Sequence, residues 1–114
     1  MRKKIMAMKD FQFNHLGKTV FVKFISEEEM IKRAGFCTTG TCQVEMKKGI
    51  RYGVMRINKA TLELGKTELI KTFFHELMHV TIQFKDIKNA FDYPHELEES
   101  MIFAAEDCLD LIME

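Results

Sequence analysis

Two histidines four residues apart, His75 and His79, with Glu76 directly after the first, lie inside the run TFFHELMHVTI. No other feature constrains this chain as much. An α-helix stacks positions four apart on one face, and the pattern from 66 to 84 predicts one continuous helix. On it, His75 and His79 present two imidazoles to one ion. Glu76 lies about 100° round the helix, beside such an ion rather than on it. Shuffled chains of this composition contain H-E-x-x-H about 0.014 times each, so accident explains the pattern poorly.

The apolar stripe of this helix is expected at Ile70, Phe73, Phe74, Leu77 and Phe84, with the histidines roughly opposite. Met78, Val80 and Ile82 make its C-terminal half apolar nearly all round, so the histidine face is expected to be covered too. The cover is expected to be a second helix over 95–113, with Pro94 at its start, where a missing N–H costs nothing. Its apolar face reads Met101, Ile102, Ala105, Leu109 and Ile112, and Glu98 leads that face. A carboxylate there is costly unless paired or bound to metal. Tetrahedral zinc needs a third protein ligand, and Glu98 is the expected one. Glu99, one position round, is the competitor, and the plainer reading of Glu98 is a carboxylate favoured by the helix dipole.

The first half reads as strands. KTVFVKFI (18–25) alternates apolar residues and is rich in β-branched and aromatic types. KDFQFNH precedes it and is expected to pair with it across His15-Leu16-Gly17. EEEMIKRAG (27–35) predicts a short helix ended by Gly35, and FCTTGTC (36–42) predicts a loop. QVEMKK and RYGVMRIN predict a hairpin turning near Lys48-Gly49. The strands preceding two helices make the expected class α+β, in one domain over 1–114.

Seventeen basic residues balance seventeen acidic ones, so charge gives no sign of a nucleic-acid or anionic-membrane partner. No run reaches 18 apolar residues, so no membrane helix is expected. The opening MRKKIMAMKDF has a basic start, but Lys9 and Asp10 break the apolar run that a signal peptide needs. Three cysteines, Cys37, Cys42 and Cys108, fit free thiols in a reducing cytoplasm. Cys37 and Cys42 are too sparse for a second metal site. Gly17-Lys18-Thr19 and Gly65-Lys66-Thr67 mimic the end of a phosphate-binding loop, but Gln12 and Ala60 stand where that loop needs glycine.

HELMH followed about twenty residues later by EESMIFAA resembles the gluzincins, and more closely the small phage and prophage proteins related to the ImmA/IrrE metallopeptidases. The resemblance runs over roughly 50–108. It implies a minimal zincin-like fold: a small sheet packed on the HELMH helix, with the C-terminal helix completing a zinc site. It implies His75, His79 and Glu98 as zinc ligands and Glu76 as general base. The implied activity is hydrolysis of a peptide bond in a peptide or protein, such as a transcriptional regulator, by a water whose pKa zinc lowers to about 7. Tyr93 and His95 are the candidates for stabilising an oxyanion. RYGVMRIN would resemble the edge strand that holds an extended peptide, although it also reads as a core strand. Many gluzincins orient a zinc-bound histidine with an acidic or amide residue four after the ligand glutamate; here that position is Ile102. The rival expectation is a non-catalytic zinc-binding regulatory or interaction module.

Overall fold

A computed structural model of the chain describes residues 9–86 and 94–113. Strand β1 (Phe11–His15) and strand β2 (Lys18–Ile25) form the expected antiparallel hairpin. Helix α1 (Glu27–Ala34) follows, capped by Ser26, whose Oγ accepts the Glu29 N–H at 3.1 Å. Gly35 ends it at φ +83°, a left-handed conformation suited to glycine. Strands β3 (Gly40–Lys47) and β4 (Ile50–Asn58) form the second hairpin. A 3-10 turn (Lys59–Leu64) leads into helix α2 (Lys66–Phe84), and helix α3 (His95–Met113) closes the described chain.

The sheet runs in the order β1-β2-β4-β3, antiparallel except for the parallel pair β2–β4. The molecule is therefore a small α+β protein on a four-stranded mixed sheet. Among the described residues, no helix is long and apolar enough to cross a membrane. RYGVMRIN lies in β4, an interior strand. The edges are β1 and β3, and β3 begins inside the stretch 36–42 expected to be loop. That expectation followed from the run Thr38-Thr39-Gly40-Thr41, which shows little alternation. Cross-strand pairing with Arg56 and Ile57 overrides so weak a local preference.

One face of the sheet carries Val20, Val22 and Phe24 of β2 and Met55 and Ile57 of β4, against Leu62 of the 3-10 turn and Val80 and Phe84 of α2. Each such side chain contributes about 1.5–3 kcal/mol when fully buried. Helix α2 reaches this face because two glycines let it. A Cβ at Gly53 would lie 3.0 Å from Val80 Cγ1, and one at Gly40 would lie 2.9 Å from Thr72 Cγ2. Of the expected stripe, Phe84 lies in the core and Phe73 and Leu77 pack against it. Thr72, Glu76, His79 and Val80 are buried, whereas Ile70 and Phe74 are only half-buried.

Candidate metal centre

Helix α2 presents His75, Glu76 and His79 into a cleft of about 870 Å³, walled by β3 and α3. His79 and Glu76 are buried, and His75 is half-buried. The two imidazoles turn their Nε2 atoms toward each other, 3.2 Å apart. The carboxylate of Glu99 joins them. Its Oε2 lies 3.4 Å from His75 Nε2 and its Oε1 lies 2.5 Å from His79 Nε2. Among the described residues, His75, His79 and Glu99 are the group whose ligand atoms lie within 4.8 Å of one another.

The expected third ligand, Glu98, lines the same cleft but is outside the convergent group of His75, His79 and Glu99. Its carboxylate contacts His79 Nδ1, across the ring from the Nε2 that faces His75. The reason is helical phase. Glu98 lies near the middle of the α3 face that turns to α2, beside fully buried Ile102. Glu99, about 100° further round, stands at the cleft margin where the two Nε2 atoms converge. Met101, expected on the inward face, is instead exposed. Tyr93 lies outside the described residues. His95 is near the site: its ring stacks on His79 at 6.0 Å, and its Nε2 lies 3.8 Å from Glu99 Oε1.

Glu106 is the residue that sequence reading missed. Its Oε1 lies 2.8 Å from His75 Nδ1. A spacing signal for it exists. Residues 99 and 106 are seven apart, which returns a helix to within about 20° of the same direction two turns on. Both histidines thus meet a carboxylate at Nδ1 and converge through Nε2.

Glu76 stands between α2 and β3. A Cβ at Gly40 would be 3.3 Å from its Cγ, so only glycine leaves its side chain room there. Burial pushes the Glu76 carboxyl above the ordinary range. The Cys42 thiol, donating a hydrogen bond to it, and the neighbouring His75 and His79 pull the other way. Cys42 is pushed far up, first by burial and then by the negative charge of Glu76.

Two imidazoles and a carboxylate are a donor set able to hold a metal ion. Atoms bound tetrahedrally at zinc's usual lengths lie about 3.3–3.4 Å from one another. The separations of His75 Nε2 from His79 Nε2 and from Glu99 Oε2, 3.2 and 3.4 Å, match that spacing. Glu99 Oε1 would back away from His79 by about 0.8 Å. Four carboxylates, from Glu76, Glu98, Glu99 and Glu106, gather around the two imidazoles, an acidic setting suited to a cation. No family model, curated protein or solved structure matches the chain.

Proposed function

We propose that the protein is a zinc-dependent peptidase of the gluzincin type, akin to the ImmA/IrrE-like phage and prophage proteins. The observation that carries this reading is the meeting of His75 Nε2, His79 Nε2 and the Glu99 carboxylate beside Glu76 in one cleft. His75, His79 and Glu99 would hold the metal. A bound zinc supplies Lewis acidity, which acidifies water and polarises a carbonyl.

The protein's own groups supply the rest. Glu76 accepts a proton as water oxygen bonds to the carbonyl carbon. It then returns that proton to the amide nitrogen as the C–N bond breaks. His95, exposed at the cleft beside Glu99, is within reach of the developing oxyanion.

Strand β3 supplies a rail for an extended substrate. Asn58 N–H donates to Thr39 O at 2.9 Å, which sets the phase of the β3–β4 ladder. In an antiparallel ladder alternate residues exchange both bonds. Residues 41, 43 and 45 therefore bond to β4, and Gly40, Cys42 and Val44 turn their backbone groups toward the open edge. A peptide added there would run past Glu76. Seventeen basic residues against seventeen acidic ones give no electrostatic reason to prefer nucleic acid as a substrate.

The test pairs metal content with hydrolysis of a peptide library. Glu76→Gln is expected to retain zinc and lose at least about 100-fold in rate. A wild-type protein that hydrolyses nothing while holding zinc would support the second reading, a closed structural or regulatory zinc site. The stacking of His95 over His79 favours that reading, because an imidazole there could close the open position.

A further inference from the structure

We infer that Glu106 is a positioning residue: it locks the His75 ring so that Nε2 faces the His79–Glu99 pair, a role that rests on the metal-centre reading above. A neutral imidazole carries one proton. To offer Nε2 as a ligand it must hold that proton on Nδ1, and whatever accepts the Nδ1–H selects the tautomer and the ring angle. His75 Nδ1 lies 2.8 Å from Glu106 Oε1, and both side chains are mostly shielded from water. At the other end of the same ring, Nε2 lies 3.2 Å from His79 Nε2 and 3.4 Å from Glu99 Oε2. Glu98 makes the matching contact with Nδ1 of His79.

The helix pairing explains why the carboxylate comes at 106. Helices α2 and α3 pass each other in opposite senses, so His79 meets 98 and 99 while His75, one turn earlier, meets 103 and 106. The Phe103 ring lies 5.1 Å from the His75 ring and borders the same contact. Ile102, the position one turn after Glu98, is fully buried and takes no part in holding a histidine. One helix thus brings a ligand and two ring-holding carboxylates, and the lack of a polar group at 102 is offset one turn later. A mere ion pair between the helices would not need both rings to donate Nδ1–H to carboxylates and converge at Nε2.

The test is a zinc competition titration against a chromophoric chelator, on wild type, Glu106→Ala and the size-matched Glu106→Gln. Long-range proton–nitrogen NMR of the histidine rings is recorded on the same samples. Unfolding midpoints in excess chelator report the metal-free fold. Expected results are a 10- to 100-fold loss of zinc affinity in Glu106→Ala and a smaller loss in Glu106→Gln. The unfolding midpoints should be close to wild type, and wild-type His75 should be protonated at Nδ1. Zinc affinity in Glu106→Ala within twofold of wild type would overturn the assignment. So would zinc bound through His75 Nδ1, or a loss of affinity matched by collapse of the metal-free fold. Wild type taking up no zinc would overturn the metal reading itself, and this inference with it.

Discussion

At Gly40 the sheet and α2 come within a distance that no side chain allows, and Glu76 lies directly alongside. A Cβ there would stand 2.9 Å from Thr72 Cγ2, 3.3 Å from the Arg56 carbonyl oxygen and 3.3 Å from Glu76 Cγ. The backbone oxygen cannot give way, so the helix must. Gly40→Ala is expected to cost about 1–3 kcal/mol, as overpacking does, read from the denaturant midpoint. An unchanged midpoint would show that α2 sits further from β3 than described. Two residues along, Cys42 donates to Glu76 and is held neutral by burial and by that charge. The thiolate is the reactive form of cysteine, so a raised pKa means slower alkylation at any given pH. Cys108 is exposed. Mass spectrometry after timed iodoacetamide treatment at pH 8 should find Cys108 modified well before Cys42, and the reverse order would contradict the placement of Cys42 against Glu76. Exposed Cys37 should also lag behind Cys108, because its hydrogen bond to Glu27 raises its pKa.

Among the described residues, helix α3 meets α2 through fully buried Ile102, the Phe103 ring and a set of carboxylate–imidazole contacts. Ile102→Ala removes the buried apolar part and is expected to cost about 2–4 kcal/mol. The loss should show as faster amide exchange through 95–109, with the sheet unaffected, and uniform loosening of the whole chain would contradict it. At this scale the sequence was most legible. The two hairpins, the Gly35 stop and both long helices follow from alternation, turn residues and helical period, and all are present. What stayed hidden depends on helix rotation. Period alone does not tell which of Glu98 and Glu99 meets Nε2 rather than Nδ1 of His79, because both line the cleft and differ only by about 100° of helix rotation. The close seating of Thr72 and Val80 depends on Gly40 and Gly53, residues far away in sequence. Glu106 was hidden for a related reason: its partner His75 is 31 positions earlier, and only the antiparallel pass of the helices joins them.

Across the whole molecule, the cleft joins three elements that share little apolar surface at the site: the β3 edge, α2 and α3. A metal held by α2 and α3 would tie them together, and binding only the folded state stabilises it, by about 2.7 kcal/mol at one hundred times the dissociation constant. Zinc should therefore raise the melting temperature. The rise should shrink in acid, because protons compete with zinc for the histidine ligands. A zinc-induced rise that is equal at pH 5 and pH 8 would contradict imidazole ligation. The most direct measurement is calorimetric titration of zinc into chelator-stripped protein, comparing wild type with Glu99→Ala and His79→Ala. One zinc per chain in wild type, and none in either variant at micromolar metal, is the expected result. No uptake by wild type, or undiminished uptake by Glu99→Ala, would contradict a centre built on His75, His79 and Glu99.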